Sequence, residues 1–270
     1  MTELSSSGEA ELVVLGSGTS HGVPMIACDC PVCRSDNPKN QRTRCSVLLR
    51  KNDFYLLVDT ATDFRQQALR EKIPRVDAVL YTHSHADHVF GLDDLRRYNY
   101  SQPHPIPIYS RPDVLEDLER IFSYIFHPAQ AGGGVPRIRL ISLPGPMRLG
   151  PFHVEPIPVF HGQLEINAYR FGDLAYVTDV SRIPPASLER LAGVRTLILD
   201  ALRYQPHPTH FNLDQAIAVV ELLKPERAYF THIAHNLDHD AVNAQLPPHI
   251  ELSYDGLRLA FKPDGNEPRI

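Results

Sequence analysis

The segment Thr82-His83-Ser84-His85-Ala86-Asp87-His88 sets three histidines and an aspartate in seven positions. Neutral imidazole and carboxylate are the common ligands of Zn, Mn and Fe, so the pattern points to a metal rather than to a polar turn. Histidine makes up 14 of 270 residues, and at that frequency H-x-H-x-D-H arises by chance in roughly three chains per thousand. One short loop can fill only part of a coordination shell. Further ligands are therefore expected elsewhere, and three apolar runs close on suitable residues: VFH on His161, YVTD on Asp179 and YFTH on His232. Each is a weak signal alone, because a polar residue at a strand end is usually a turn residue. Their shared position is what groups them.

A second cluster is made of cysteines. Cys28, Cys30 and Cys33 in CDCPVC are close enough for three thiolates to reach one zinc, and a structural site needs a fourth ligand. His235, three residues past His232 in THIAH, is the expected fourth. Cys45 stands apart and reads as an ordinary half-buried residue. This usage suits metal binding in a reducing compartment, not a disulfide scaffold.

Hydrolysis at a metal centre also needs a proton donor at the leaving group, and HPTHFNLD offers His207 and His210. His210 can equally be read as a residue just ahead of a helix N-cap at Asn212. Asp87 is a further candidate, as a proton acceptor. His21, beside GVP, is a candidate to line the pocket, whereas His104, His127, His153, His239 and His249 read as surface or structural residues.

The elements that must position these groups are mostly short strands. AELVVLG, CSVLLRK, FYLLVDT, VDAVLYTH, IPIYS, HVEPIPVFH, LAYVTD, TLILDA, RAYFTH, IELSYDG and LRLAFKP each read as apolar runs closed by turn residues. Helical spacing occurs in TDFRQQALREK, LDDLRRYNY, RPDVLEDLERIFSYI, PASLERLAG and NLDQAIAVVELLKP. Strands outnumber helices and alternate with them only in places, which favours two central sheets with helices outside over a doubly wound parallel sheet. Residues 1–9 read as a flexible tail and residues 10–270 as one domain. The loop 127–138, with three consecutive glycines, reads as a connector or a substrate-facing lid.

Composition sets outer limits. The formal net charge of -5 gives no reason to expect a nucleic-acid or anionic membrane partner. Arg34, Lys39, Arg42 and Arg44 read as a solvated basic loop. No apolar run approaches a membrane span, and the first residues lack the order of a signal peptide, so a cytoplasmic protein is expected.

Taken together, LGSGTSHGVP, CDCPVC, RTRCSVLL, THSHADHVFGL and THIAH resemble the metallo-β-lactamase superfamily, from about Leu12 to Gly256. Within it they are most similar to the cyclic-phosphate phosphodiesterases of the carbon-phosphorus lyase pathway for phosphonate breakdown. The resemblance implies a four-layer αββα sandwich and two divalent metal ions, Zn or Mn. His83, His85 and His161 would hold one ion, Asp87, His88 and His232 the other, and Asp179 would bridge them. It also implies a structural zinc on Cys28, Cys30, Cys33 and His235, a histidine in the place of His210 near the leaving group, and LGSGTS as a loop beside the metals. Gly16 and Gly18 in that loop would permit a tight turn and close approach to a ligand.

True β-lactamases of the superfamily carry cysteine where this chain has Asp179, which speaks against antibiotic hydrolysis. Bound cations can lower the pKa of water from 15.7 to about 7 and hold anionic oxygens, which suits a phosphate ester. The expected activity is hydrolysis of a small or cyclic phosphodiester, with phosphoribosyl cyclic phosphate as one substrate of that class. Two alternatives share the motifs: a nuclease of the transfer RNA 3'-processing type, and a non-catalytic metal-binding or carrier protein. No basic, glycine-rich arm for gripping RNA is visible, and the complete ligand set ranks the carrier last. A homodimer is among the arrangements that the resemblance implies.

Overall fold

The structure, a computed structural model, describes residues 8–127 and 134–264. Residues 128–133, half of the 127–138 loop, and the first seven residues of the expected tail lie outside this range.

The first half of the chain supplies β1 (Ala10–Gly16), β2 (Ser46–Lys51), β3 (Phe54–Val58), β4 (Ala78–Leu80), β5 (Ile106–Ser110) and β6 (Ile138–Ser142). The second half supplies β7 (Met147–Leu149), β8 (Phe152–His161), β9 (Leu164–Phe171), β10 (Leu174–Val177), β11 (Thr196–Asp200), β12 (Arg227–Thr231) and β13 (Ile250–Leu252). The last strand, β14 (Arg258–Phe261), returns to the first sheet. The two sheets run β14-β1-β2-β3-β4-β5-β6 and β13-β12-β11-β10-β9-β8-β7.

Side-chain alternation explains why both sheets are buried on two faces. In β3, Leu56 and Val58 enter the core between the sheets, together with Tyr169, Phe171 and Tyr176 of the second sheet. Leu57 points the other way, into the layer covered by α1 (Phe64–Arg70), a 3-10 helix at Leu92–Tyr100 and α3 (Pro112–Ile121). The short helices α2 (Ala86–Val89) and α4 (Ser123–Phe126) belong to the same half. In β10, Ala175 and Val177 face the opposite outer layer, under α5 (Pro185–Leu191), α6 (Leu213–Leu223) and α7 (His239–Asn243). The result is the expected αββα sandwich.

Local chemistry sets the helix boundaries. Asn212 caps α6 through a reciprocal box with Gln215, each side chain bonding the other's backbone N–H at 3.0 Å. Pro112 and Pro185 open α3 and α5, where a missing N–H costs nothing. LDDLRRYNY, expected as an ordinary helix, winds as a 3-10 helix instead.

Strand direction is what matters for the site. β3, β4, β5 and β6 pair in parallel, as do β10, β11, β12 and β13. Antiparallel pairing twice over, through β2 and through β9, gives β1 and β8 the same direction as their parallel neighbours. The carboxyl ends of these strands therefore lie along common sheet edges, where loops in α/β architectures carry chemistry.

Among the described residues, no helix is long and apolar enough to cross a membrane.

Candidate metal centre

Carboxyl ends of six strands converge. Asp59 follows β3, His83 follows β4, His161 ends β8, Asp179 follows β10, Asp200 ends β11 and His232 follows β12. His85, Asp87 and His88 come from the turn into α2. Asp59, Asp179 and His232 have φ of 63°, 56° and 57°. Such left-handed backbone is uncommon for residues with a side chain, and where it persists it marks positions fixed by their surroundings.

Ligand atoms gather in two main sets, each within 4.8 Å: His83, His85 and His161, and Asp87, His88, Asp179 and His232. His88 Nε2 lies 3.4 Å from Asp87 Oδ2 and 3.3 Å from Asp179 Oδ1, and His232 Nε2 lies 3.3 Å from Asp179 Oδ2. Asp179 also falls in a set with His161 and His210. All seven residues expected as ligands are thus brought together.

Whether these groups fit cations can be tested on their unmet bonding. Nε2 of His83, His88 and His232 is buried without a hydrogen-bond partner, and such atoms carry a cost unless something else binds them. The opposite nitrogen is anchored in His83 and His88, and in His161 as well, whereas Nδ1 of His232 is buried without a partner. His88 Nδ1 donates to Asp59 Oδ2 at 2.7 Å, His161 Nδ1 to the Thr209 carbonyl at 2.8 Å, and His83 Nδ1 lies 3.0 Å from Thr82 Oγ1. A proton fixed on Nδ1 leaves Nε2 with its lone pair facing the centre, as a ligand requires.

Charge tells the same story. Burial works against ionising Asp179 and Asp87, yet His232 and His88 beside the first and His88 beside the second hold both carboxyls below their usual range. Burial holds His83 well below the usual histidine range. For His88 burial pulls down, but Asp179, Asp87 and Asp59 prevail and raise it. Among the described residues, the ion-pair partners of these aspartates are histidines, not Lys or Arg. Buried carboxylates without a permanent cation are what divalent ions neutralise.

His210 is buried with its Nδ1 2.9 Å from Asp200 Oδ2, its ring stacked on His232 at 4.5 Å and edge-on to His161 at 4.7 Å. Asn212 caps α6, and His210, two residues before it, faces the centre. Asp200 is also bonded by Val180 N at 2.9 Å, and burial raises its carboxyl well above the usual range.

Asp59 and Asp200 were not singled out from the sequence. The signal was present, since FYLLVD and TLILD close on aspartate as YVTD does.

The cysteine cluster also forms. Cys28, Cys30 and Cys33 Sγ lie 3.2, 3.4 and 3.7 Å from His235 Nδ1. Bond lengths of about 2.3 Å to sulfur and 2.0–2.1 Å to nitrogen put the corners of a tetrahedral zinc site roughly 3.6 Å apart. The backbone N–H of Cys33 lowers the Cys30 thiol to about 6, so it readily becomes a thiolate, while burial raises Cys33 to about 11.

Two expectations need correction. Arg42 is not solvated but 1% exposed. It donates to the carbonyls of Lys39, Ala234 and Leu237 and to Asn40 Oδ1, tying the cysteine loop to the strand end that carries His232. Cys45 is fully buried, 3.4 Å from Thr231 Oγ1. The glycines of LGSGTS allow close backbone approach: a Cβ on Gly16 would meet the Arg44 carbonyl at 1.9 Å, and one on Gly18 the Arg42 carbonyl at 2.8 Å. His21 does line a cavity, which adjoins His210.

Residues 55–233 match the model of the beta-lactamase superfamily domain. The octanoyltransferase of Porphyromonas gingivalis is 36% identical over 258 residues, 94% of this chain and 52% of that protein. The chain thus spans about half the length of that relative. Among solved structures, a new diphosphatase from the PhnP family is 46% identical with a TM-score of 0.88, covering 94% of this chain and 97% of that one. The Zn(2+)-bound PqqB from Methylobacterium extorquens shares the fold at 23% identity and a TM-score of 0.73, over 92% and 99%. With its strand-end histidines and aspartates and the matching domain model, the chain belongs to the beta-lactamase superfamily and has the metallo-β-lactamase fold, which implies divalent-metal binding.

Proposed function

We propose that the chain is a binuclear metal-dependent phosphodiesterase acting on a small or cyclic phosphodiester, phosphoribosyl cyclic phosphate being one such compound. The observation that carries this reading is the double membership of Asp179, whose carboxylate lies within ligand distance of both the His88/His232 side and the His161 side. His83, His85 and His161 would hold one ion, Asp87, His88 and His232 the other, and Asp179 both. Cys28, Cys30, Cys33 and His235 would hold a structural zinc. Divalent ions in such a pair supply Lewis acidity for phosphoryl oxygens and a water made acidic enough to react near neutral pH.

The chain's own residues do the rest. Asp59 and Thr209 O fix the proton on Nδ1 of His88 and His161 and so aim their Nε2 atoms. Asp200 holds the His210 ring through Nδ1, so that with a proton on each ring nitrogen Nε2 would pass one to the leaving oxygen. Asp87, at the mouth of the pair, is a second site for a proton in transit. The relative at 46% identity, a diphosphatase by name, supports a phosphoryl compound as substrate. The octanoyl transfer named for the longer relative is not carried over, because half of that protein has no counterpart here.

Elemental analysis of the purified chain, joined to hydrolysis of bis(p-nitrophenyl) phosphate with and without chelator and added Mn or Zn, tests this. Nearly three ions per chain and turnover that chelator abolishes are expected. Full metal content with no turnover on this or on ribose cyclic phosphates would defeat it in favour of a binding role.

A further inference from the structure

His232 is held differently from three other histidines of the centre. Nδ1 of His83, His88 and His161 has a polar neighbour at Thr82 Oγ1, Asp59 Oδ2 and the Thr209 carbonyl respectively. Nδ1 of His232 is buried without a partner, and Asp200 Oδ1 lies 3.8 Å from it. The ring stacks on His210, a contact with no directed bond, so its place depends on the backbone that carries it. That backbone has a φ of 57°, and a left-handed residue with a side chain persists only where its neighbours hold it.

The neighbour is a loop from the other sheet. Ile233, the next residue, donates its N–H to the Ser17 carbonyl at 2.9 Å, and its carbonyl accepts from Thr19 N at 3.2 Å. On its other side the same loop pairs with the segment that leads into β2, Gly18 N donating to the Thr43 carbonyl at 2.8 Å. Ser17, Gly18 and Thr19 thus join the first sheet to the end of β12 in the second. Asp255, in the turn from β13 to β14, fastens both sides of this junction. Its Oδ1 accepts from Ser17 N and Ser17 Oγ, each at 2.9 Å. Its Oδ2 accepts from Thr43 N at 2.9 Å, Thr43 Oγ1 at 2.6 Å and Arg70 Nη1 at 3.2 Å. These donors fill the acceptor sites of a buried carboxylate, and each bond is strengthened by its charge.

We propose that Asp255 is a positioning residue for His232, acting through Ser17, Gly18 and Thr19. The ion on the His232 side of the pair depends on it, and the ion on the His83, His85 and His161 side does not. Among the described residues, the side-chain bonds of Asp255 go to Ser17, Thr43 and Arg70 and to none of the proposed ligands. This rests on the two-ion reading above and deepens it.

The test compares Asp255→Asn and Ser17→Ala with Asp173→Asn in the full chain. Asp173 is another buried carboxylate, with Oδ1 accepting from Lys262 N at 2.7 Å, but it precedes β10 and so lies at the opposite end of that strand from Asp179. It reports what loss of stability does by itself. Chelator titration of the Zn-loaded chain, with His232→Ala and His161→Ala marking which step belongs to which side, gives the affinity of each ion. Amide hydrogen exchange at Ile233 in the metal-free chain reads the junction directly. Asp255→Asn should weaken the His232-side ion by about tenfold and leave the other unchanged, the low end of what outer partners of ligating histidines contribute. Exchange at Ile233 should quicken by at least about tenfold, as for a locally released hydrogen bond. Ser17→Ala keeps the Ser17 N–H bond and should shift both readouts the same way by a few-fold, while Asp173→Asn should lower the melting temperature and shift neither. Unchanged exchange at Ile233, equal weakening of both ions, or the same weakening in Asp173→Asn would each overturn the proposal. Should Asp255→Asn fail to fold, Ser17→Ala decides on the same readouts. If the wild type holds no pair of ions, the two-ion reading falls and exchange at Ile233 still decides the junction: faster exchange in Asp255→Asn or Ser17→Ala but not in Asp173→Asn sustains it, and unchanged exchange rejects it.

Discussion

His232 and His235 are three residues apart, yet they belong to clusters built in opposite ways. The centre around His232 draws on strand ends spread from Asp59 to His232, buried and braced by hydrogen bonds of its histidines to Asp59, Thr209 and Asp200. The cluster around His235 takes its other three members from one six-residue loop, half exposed, with sulfurs bonded only weakly by backbone N–H groups. In the first case the sheet edges set the ligand positions. In the second the sulfurs have few fixed partners of their own, and the loop is tied down beside them by Arg42 and by Val23 and Val32 packed on Cys33. The difference teaches that the same ligand chemistry can be either a product of the fold or a support for it.

Removing a shared ligand from the centre should have the largest effect. Asp179→Asn keeps a residue tolerant of the left-handed backbone and deletes the charge. Hydrolysis should fall by on the order of 10²–10³, the usual cost of losing a preorganised electrostatic partner. Elemental analysis should show ions lost from the pair while the cysteine site keeps its zinc and the melting temperature changes little. A collapse of the fold would instead mean that the centre, too, is a support.

The cysteine site should behave in the converse manner. Cys30→Ser should release one zinc and lower the melting temperature by about 5–10 °C, the size expected when ~2–3 kcal/mol is lost from a chain of this length. Limited proteolysis should then cut first within residues 23–41. Activity should suffer less than in Asp179→Asn, and an equal loss would show that Arg42 transmits the damage to His232.

A smaller effect separates bracing from ligation. Asp59→Asn leaves every proposed ligand in place but weakens the hold on His88 Nδ1. Chelator titration should show metal affinity reduced by about 10–100-fold, as for other outer partners of ligating histidines. No change would mean that the sheet edges alone fix the geometry.

These contrasts bear on what could be read from the sequence. The strands were legible because apolar runs such as TLILD are buried on both faces and closed by turn residues. The ligands were legible because histidine is rare enough for H-x-H-x-D-H to stand out. Asp59 and Asp200 were not, since an aspartate ending a strand is also an ordinary turn residue and only the fold brings His88 and His210 against them. Arg42 was misread for a related reason: its partners are carbonyls at Ala234 and Leu237, and backbone acceptors leave no mark in a sequence. The return of β14 to the first sheet depends on pairing with β1, some 250 residues earlier, and was equally invisible.

The smallest expected effect lies where the cysteine loop meets the arm that carries His232. His239 opens α7, is 3% exposed, donates its backbone N–H to Asn40 Oδ1 at 2.9 Å and lies edge-on to Tyr254. Its Nδ1 is buried without a partner, and burial, with Lys39 and Arg42 nearby, lowers the imidazole to about 4. In the unfolded chain the same ring takes up its proton near 6.5. Between those values the unfolded state binds more protons, so the stability that is complete above pH 6.5 is lost as pH falls towards 4. Other buried histidines share that slope, which is why the comparison must be between variants. His239→Gln should flatten the decline of the denaturation midpoint between pH 7 and 4.5 relative to the wild type, and identical slopes would place His239 outside the linkage. Because His239 packs beside Arg42 and Asn40 and not on the metal pair, zinc loss from Cys28, Cys30 and Cys33 should loosen its burial and shrink its share, whereas ion loss from the centre should leave that share alone. Acid sensitivity would then report on the support and not on the site.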